Sequence, residues 1–342
     1  MPTLRDVAQQ AGVSLATASR VLNGKASAIQ VTAATRQRVL DASRTLGYCP
    51  DPVARALRTK RTRLIGVIVR NAADPFQGLV MRGIDLAARR AGYRALLSTI
   101  ETAPAPGEYA QIWQAHNADG VIVVGDVAGD DRPLLEMLQR CPFVVATARG
   151  KLGAMPRVVV DNQAGMQALL EHLHALGHRR LAFCYTPEYW DMRDRCAAFV
   201  AWARAHDLSN EAAPLVPVVS GFAGGAQALE VLMARPEPPT AILCHNDVCA
   251  IGALKAALAR GLEVPGDLSI TGFDDIEFAA QTTPGLTTIR QPTLQIGETA
   301  ATLLIKWLEQ DTPPPQLVRL PVELVVREST GAPQEGGDGQ HG

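Results

Sequence analysis

From residue 64 onwards, short apolar segments of strand length alternate along the chain with longer segments of helical periodicity. The apolar segments are residues 64–69, 121–124, 143–146, 158–160, 181–184, 241–244 and 268–272, and the helical ones include 79–91, 165–176, 195–206 and 248–260. This alternation predicts an α/β fold in which mostly parallel, doubly wound sheets are covered by helices on both faces.

The length of this region and a weak internal repeat predict two lobes. About 270 residues exceed what a single core usually contains. The sequence IGVIVRN, followed by a helix ending AARRAGY, is echoed by LAFCYTP and a helix ending AWARAHDL. Because ligands bind at the strand ends of such sheets, two similar sheets that face each other predict one shared cleft.

The first 22 residues have a different pattern, with two helical faces instead of one. Apolar residues follow one face before Gly12 and a second face after it, so the helix breaks at this glycine. Thr3, with Asp6 three residues further on, and Ser14 are the N-cap residues expected for the two helices. The pattern predicts a helix-turn-helix.

The second of these helices has one face that the predicted core does not use. The residues on that face are Leu15, Ala16, Thr17, Ser19 and Arg20. In a helix-turn-helix they lie in the major groove, where arginine can read guanine and small apolar side chains can meet a thymine methyl group. The alternative is an ordinary pair of amphipathic core helices, which has the same spacing.

Charge separates residues 1–63 from the rest of the chain. This segment holds eleven Lys and Arg against three acidic residues, a net charge of +8. The remainder holds 22 basic and 31 acidic residues, a net charge of −9, so the total of −1 conceals the segregation. A basic head on an acidic body predicts that the head alone binds phosphate.

A third helix is predicted after the first two, with Thr32 as its N-cap and Gly47 as its stop. The next ten residues, YCPDPVARAL at 48–57, contain two prolines and are too short and polar to form a stable helix alone. A marginal helix between two domains can fold or melt in response to either of them.

Together these segments resemble the LacI/GalR family of transcription regulators. The matching stretches, in order over residues 3–292, are TLRDVAQQAGVSLATASRVLNG, TRQRVLDASRTLGYCPDPVARAL, IGVIVRNAADPF, VVVDNQAG, LGHRRLAF, CHND, VPGDLSITGFDD and TTIRQP. The resemblance implies a periplasmic-binding-protein-like core, in which the chain crosses between the two lobes near Asp161, Arg290 and Leu320.

The expected domain boundaries follow from the patterns and the resemblance together. They are a helix-turn-helix headpiece at 1–47, a hinge helix and linker at 48–62, an N-lobe at 63–161 with 291–320, and a C-lobe at 162–290 with 321–330. The last residues, 331–342, have the composition of a disordered tail.

The resemblance also implies roles in DNA binding. Leu15, Ala16 and Arg20 would read bases, while Thr17 and Ser19 would hold phosphates. The full set of DNA-contact candidates is Leu15, Ala16, Thr17, Ser19, Arg20, Asn23, Ala54 and Leu57.

Residues 53–57 would form the hinge helix, with Leu57 inserted into the minor groove, where an apolar wedge unstacks a base step and bends the DNA. Asp51 departs from the asparagine usual in the family, although an acid at a helix start is favourable by itself.

Polar and aromatic residues at the predicted strand ends are the candidates for effector binding. Amides and carboxylates can hold vicinal hydroxyls, and aromatic faces can cover a sugar ring or stack on a base. The resemblance carries effector contact onto Phe76, Arg149, Asp161, Arg195, Phe222, Asn246 and Asp274. Phe76 could instead be a core residue, Trp190 either lines the cleft or packs beside it, and Asp247 and Asp275 are expected to be helix N-caps.

Motifs of enzymes and metal sites are missing from the sequence. There is no GxSxG elbow, no GxGxxG after a strand and no Walker loop. His172, His174 and His178 have no cysteine pair at zinc spacing, so no metal or other cofactor is expected. Six scattered cysteines, no signal peptide after Met1 and no membrane-spanning apolar run predict reduced thiols in a cytoplasmic protein.

The combined prediction is a transcription regulator, a repressor, that binds a pseudopalindromic operator as a homodimer and responds to a small molecule in the cleft. The polar residues favour a sugar or sugar derivative, and Arg149 and Arg195 leave an acidic sugar or a nucleobase open. Two other hypotheses are a cytosolic sugar-modifying enzyme with an appended helix-turn-helix and a regulator whose cleft binds nothing.

Overall fold

The structure is a computed structural model, and it describes residues 2–22, 31–49, 56, 59–99, 118–125, 136, 140–147, 155–187 and 192–334. The chain divides into two compact units, Met1–Arg63 and Leu64–Gly342. The predicted hinge helix at 53–57 lies outside the described residues except for Ala56.

Three helices form the first unit: α1 (Leu4–Gln10), α2 (Leu15–Leu22) and α3 (Ala33–Leu46). They pack on a small core of alanine and valine side chains that includes Val7, Ala18, Val21 and Val39. All four of these side chains are at most 5 % exposed. The core is small, so the helix ends contribute a large share of the stability of this unit.

The caps expected for the helices of the first unit are confirmed. The Thr3 hydroxyl accepts from the Asp6 amide while the Asp6 carboxylate accepts from the Thr3 amide, which is a complete capping box. The Ser14 hydroxyl accepts from the Thr17 amide and caps α2. Gly12 has a φ of +62°, a conformation that favours glycine and turns the chain between α1 and α2.

The described residues of the second unit form six α-helices and twelve strands. Its helices are α4 (Pro75–Arg90), α5 (Asn162–Ala175), α6 (Met192–Ala205), α7 (Phe222–Met233), α8 (Asp247–Ala259) and α9 (Thr293–Gln310). Its strands are β1 (Leu64–Val69), β2 (Arg94–Thr99), β3 (Gly120–Val124), β4 (Phe143–Ala146), β5 (Arg157–Val160), β6 (Leu181–Tyr185), β7 (Leu215–Pro217), β8 (Ala241–Cys244), β9 (Ser269–Thr271), β10 (Thr288–Arg290), β11 (Leu317–Leu320) and β12 (Glu323–Val325).

Two parallel sheets organise this unit. The first, here called the N-lobe sheet, has the order β11-β5-β4-β3-β1-β2, and the second, the C-lobe sheet, has the order β7-β6-β8-β9. The chain passes between the lobes after β5, after β10 and after β11, while β10 and β12 pair antiparallel. The predicted fold class, a helical head with two parallel-sheet lobes, is confirmed.

Strands at the centre of each sheet are buried on both faces. In β6 and β8, alternate residues contribute to two separate apolar cores, with Ala182 and Ile242 on one side and Phe183 and Leu243 on the other. This explains why the strands are apolar throughout. The helices α7 and α9 and the strands β2, β7, β10, β11 and β12 were not among the predicted segments. For β2 the reason is that the strand is only partly buried and lacks a continuous apolar run.

Helices α4 and α9 cross very closely on the N-lobe. A Cβ atom at Gly297 would lie 2.0 Å from the carbonyl oxygen of Val80 and 2.8 Å from the amide nitrogen of Ile84. Only glycine permits this approach, so Gly297 sets the distance between the two helices.

Residues 331–334 belong to the tail predicted at 331–342, but the structure describes them in contact with the C-lobe, whereas 335–342 lie outside the described residues. The Gly331 carbonyl accepts from a ring nitrogen of His178 and from the Ser269 hydroxyl, and a Cβ atom at Gly177 would lie 3.6 Å from the Pro333 ring. Residues 331–334 therefore pack on the C-lobe, because the polar groups of that surface need partners.

Candidate DNA-binding surface and effector pocket

Helix α2 presents the surface expected to contact DNA. Its buried face consists of Ala18 and Val21, whereas Leu15 is 47 % exposed and Ala16 is exposed as well. Arg20 is half-buried in the last turn of the helix. The helix therefore leaves its N-terminal part free for a partner, as a recognition helix requires.

The two residues expected to hold phosphates are both half-buried. The Thr17 hydroxyl lies 2.8 Å from the Ser14 hydroxyl, so it already belongs to the N-terminal cap of α2. Asn23, Ala54 and Leu57, together with Asp51, lie outside the described residues.

A pocket lies where the strand ends of the two lobes meet. Four of the predicted effector residues line it, namely Phe76, Arg195, Asn246 and Asp274. The other lining residues are Asp74, Gln77, Gly125, Thr147, Val160, Met192, His245 and Gln291. The structure therefore gathers residues that are more than two hundred positions apart in the sequence.

Arg195 is the cation of this pocket, and it is held rigidly. Its side chain is 3 % exposed, its Nε donates to Asn162 Oδ1 at 2.8 Å, and its Nη1 donates to the His245 carbonyl at 2.5 Å. The guanidinium carbon lies 3.6 Å from the centre of the Phe273 ring. These partners fix the guanidinium before any ligand binds.

Asp274 is the buried acid beside it. Its Oδ1 accepts from Gln291 Nε2 at 2.6 Å, which joins the C-lobe to the start of α9. Burial, together with the nearby carboxylates of Asp247 and Asp74, raises the pKa of Asp274 well above its usual range, and Arg195 opposes this only in part. The residue also has a φ of +136°, which is strained for a residue with a side chain.

Backbone strain recurs at Thr147, directly after β4, where φ is +73°. Positive φ is a genuine outlier for a β-branched residue. Two strained residues line one pocket, which is the pattern expected where structure has been constrained for function.

The N-lobe side of the pocket is built on the start of α4. Asp74 caps the helix through Oδ1, which accepts from the amides of Phe76 and Gln77, and burial raises the pKa of Asp74. The Phe76 ring is partly buried and packs against the apolar cores of both lobes. Phe76 is thus both a pocket residue and a contact between the lobes.

Asn246, and not Asp247, is the N-cap of α8. Its Oδ1 accepts from the Cys249 amide at 2.9 Å. Asp247 is fully buried and accepts from the Ile276 amide and the Thr288 hydroxyl, and burial raises its pKa to about 6. Asp275 is not an N-cap either. It forms ion pairs with Arg290 and Arg327, because these two side chains converge on it across the sheet.

Two of the predicted effector residues lie away from the pocket. Asp161 caps α5 by accepting from the Ala164 amide, and its second oxygen lies 3.5 Å from Arg319. Phe222 begins α7, is 57 % exposed and lies in a groove beside Ile251. Arg149 and Trp190 lie outside the described residues.

Several pocket residues were missed although the sequence held a signal for some of them. Gly125 and Thr147 each follow a buried strand directly, so the strand-end rule that selected Asp274 would also have selected them. Gln77 and His245 are next to residues that were chosen. Met192 carried no signal.

A metal site, a disulfide and a membrane-spanning helix would each require particular features of the described residues. Among the described residues, no three His, Cys, Asp or Glu side chains converge as a metal site would require. All six cysteines are free thiols. In the part of the chain that the structure describes, no helix is both long and apolar enough to cross a bilayer.

A helix-turn-helix head and a two-lobed core with a pocket at its strand ends define a class of DNA-binding regulators. Two family profiles match: "Bacterial regulatory proteins, lacI family" at residues 3–51 and "Periplasmic binding protein-like domain" at residues 170–330.

The chain is 33 % identical over 332 residues to the HTH-type transcriptional repressor CytR of Escherichia coli K12, covering 96 % of both. It is 31 % identical over 340 residues to catabolite control protein A of Priestia megaterium, covering 96 % of this chain and 99 % of that protein. The chain therefore belongs to the LacI family. Its relatives are transcription regulators, and it is one too rather than an enzyme.

Solved structures agree on the fold. The lac repressor dimer bound to operator and the anti-inducer ONPF has a TM-score of 0.85 and 28 % identity, covering 97 % of this chain and 99 % of that one. The transcriptional regulator CelR in complex with cellobiose has a TM-score of 0.71 and 28 % identity, covering 96 % and 100 %.

Proposed function

We propose that this regulator is a repressor that binds a pseudopalindromic operator as a homodimer, and that a small uncharged sugar or sugar derivative controls its operator affinity. The observation that carries the proposal is the pocket, which receives Phe76 from the N-lobe and Arg195 and Asp274 from the C-lobe. A ligand that contacts both lobes favours one lobe arrangement over another, and such coupling is typically worth about 1–3 kcal/mol.

The chemistry of the pocket supports an uncharged ligand. Arg195 is already paired with Asn162 and the His245 carbonyl, so its charge is partly satisfied within the protein. Asp74 and Asp274 are nearby, and each has a pKa raised by burial. Hydroxyl groups can donate to the oxygens of both acids whether or not these carry a proton, whereas an anionic group has no hydrogen to donate.

The DNA-binding half of the proposal rests on α2 and on the segregated positive charge. Leu15, Ala16 and Arg20 would meet base edges, and two headpieces of a dimer would read two half-sites. The lac repressor structure is described as a dimer bound to operator, and CytR is named a repressor. Residues 48–62 would then link the core to the DNA, with Leu57 as the minor-groove wedge. The protein would act in the cytoplasm.

The proposal is tested by measuring effector response and operator binding in the same protein. Asp274→Ala is expected to leave operator binding intact and to abolish the effector response, because it removes a carboxyl group that lines the pocket. Asp161→Ala is the matched control, since this carboxylate caps a helix outside the pocket, and it is expected to respond normally. The reverse pattern would place the site elsewhere.

The two other hypotheses, a cleft that binds nothing and a sugar-modifying enzyme, predict other results when the protein is screened with ligands. A thermal-shift screen of sugars, sugar acids and nucleosides is expected to yield at least one compound that raises the melting temperature. A complete absence of shifts would favour a cleft that binds nothing. Chemical conversion of a bound compound would favour an enzyme.

A further inference from the structure

Gln77 has an unusual position in the wall of the pocket. It is the third residue of α4 and only 8 % exposed, and its own amide donates to Asp74 Oδ1. Its side-chain Oε1 accepts from the backbone amide of Asn71 at 3.3 Å. The Asn71 side chain in turn accepts from the Ala73 amide at 3.0 Å. The turn before α4 therefore holds the glutamine oxygen in place.

This contact fixes which end of the amide faces the pocket. A glutamine side chain has an oxygen that accepts and a nitrogen that donates two hydrogen bonds, and its orientation is assigned from the partners of each. The oxygen has the Asn71 amide as its partner. The side-chain nitrogen has no hydrogen-bond partner among the described residues. It is also not one of the atoms that are completely buried without a partner. Since Gln77 lines the pocket, this donor is left for whatever enters it.

Two other amides in the pocket are oriented in the same way by internal partners. Asn246 uses its oxygen to cap α8, so its nitrogen is the end left over. Gln291 uses its nitrogen to donate to Asp274, so its oxygen is the end left over. The pocket thus offers fixed donors at Gln77 and Asn246 and a fixed acceptor at Gln291. Such preorganised groups discriminate strongly, because a ligand without the matching atom leaves them unpaired.

We infer that Gln77 is a specificity-determining residue whose Nε2 donates to an uncharged acceptor of the effector, beside the part of the ligand that Phe76 covers. The inference rests on the proposed function. The acceptor is a hydroxyl or ring oxygen of a sugar, or a carbonyl or ring nitrogen of a nucleoside base. A carboxylate or phosphate is disfavoured at this position, because the acid Asp74 caps the same helix turn.

The test begins with a thermal-shift panel on the full-length protein, using ribose, glucose, cellobiose, uridine and adenosine, with ribose 5-phosphate and glucuronate as anionic counterparts. At least one uncharged compound is expected to bind. Whether the bound compound is a sugar or a nucleoside then shows which kind of acceptor Gln77 meets. Binding by the anionic compounds alone would overturn the inference while leaving the effector pocket in place. If nothing in the panel bound, the proposed function would fail as well.

The decisive measurement is the dissociation constant of the binding compound and of analogues that each lack one acceptor, for the wild type and for Gln77→Met. In the wild type one analogue is expected to bind about tenfold more weakly, the effect of one lost hydrogen bond. In Gln77→Met that analogue and the parent compound should bind within about twofold of each other. Equal losses in both proteins would show that Gln77 makes no such bond.

A second variant separates the donor from the support of the turn. Gln77→Glu keeps an oxygen for the Asn71 amide but replaces the amide nitrogen by an acceptor. Ligand-free Gln77→Glu is expected to melt within a few degrees of the wild type at pH 8 while binding the parent compound about tenfold more weakly. Wild-type affinity in Gln77→Glu would overturn the inference.

Discussion

The headpiece and the effector pocket use polar side chains in opposite ways. On α2 the residues proposed to read DNA are exposed or half-buried over a small core of alanine and valine. In the pocket, Arg195, Asp274 and Gln77 are buried, and each already has a protein partner. A long, charged groove can be met by side chains that adjust on contact, whereas a small neutral molecule offers few contacts and requires groups that are fixed beforehand.

The largest loss of stability is expected at the close contact between α4 and α9, where the core has no room for an added atom. Gly297→Ala would place a methyl group 2.0 Å from the Val80 carbonyl oxygen, so α4 and α9 must move apart. We expect the core to lose more than about 3 kcal/mol of its free energy of unfolding, at the upper end for overpacking. Urea unfolding followed by circular dichroism measures this loss.

The matched control is Gly78→Ala in α4, where no atom lies within 4 Å of the added methyl group. Alanine favours helix over glycine by about 0.5–1 kcal/mol, so this variant is expected to be as stable as the wild type or slightly more stable. Equal destabilisation by the two substitutions would contradict the role of Gly297 as a spacer.

The next effect is expected in the headpiece. Arg20→Ala is expected to weaken specific operator binding by about 1–3 kcal/mol, because it removes the arginine of α2 that we propose to read bases. Effector binding in the core should not change. Electrophoretic mobility shifts with specific and random DNA measure the difference.

Arg44→Ala on α3 is the control for this experiment, since Arg44 is exposed and pairs with Asp41. It carries the same charge but lies on another helix, so it should reduce binding to specific and random DNA by similar small factors. A base-reading role for Arg20 would be excluded if the two variants behaved alike.

A pH effect should distinguish the pocket from the headpiece. Burial raises the pKa of Asp274 well above 3.8, so the folded state keeps a proton that the unfolded state has lost. The free energy of unfolding therefore falls as pH rises from about 4 towards the folded pKa. Asp247 contributes in the same direction between 3.8 and about 6. Asp274→Asn should make this slope shallower and raise stability at pH 8, because asparagine can still accept from Gln291. Urea unfolding of the core at pH 5, 7 and 8 is the measurement, and an unchanged slope would contradict it.

The smallest effect is expected at a helix cap. Thr3→Ala removes the hydroxyl that caps α1 and should cost the headpiece about 1 kcal/mol. Unfolding of the core should be unaffected. Amide exchange in α1 compared with β1 reports the two regions separately, and equal changes in both would show that the cap acts beyond the head.

Local patterns were sufficient for the head and for the apolar strands of the two sheets, but not for β2, α7 and α9. The bounds of β1, β4 and β8 were predicted without error, and Thr3, Ser14 and Gly12 were assigned correctly, because caps, turns and apolar runs depend on neighbours within a few residues. The fold class followed from the order of these elements. The resemblance placed Phe76, Arg195, Asn246 and Asp274, and these four residues do line one pocket.

Only the tertiary structure decided how each polar group is used. Asp161 and Phe222 are close in sequence to strand ends or turns, yet one caps α5 and the other is exposed on α7. Which end of the Gln77 and Gln291 amides faces the pocket depends on Asn71 and Asp274, whose positions no local pattern specifies. The sequence alone determined the apolar strands and the well-patterned helices, since these depend on local energetics, whereas β2, α7 and α9 were recognised only in the structure. The orientation, burial and protonation of the pocket groups were decided by the fold, because they depend on partners distant in the chain.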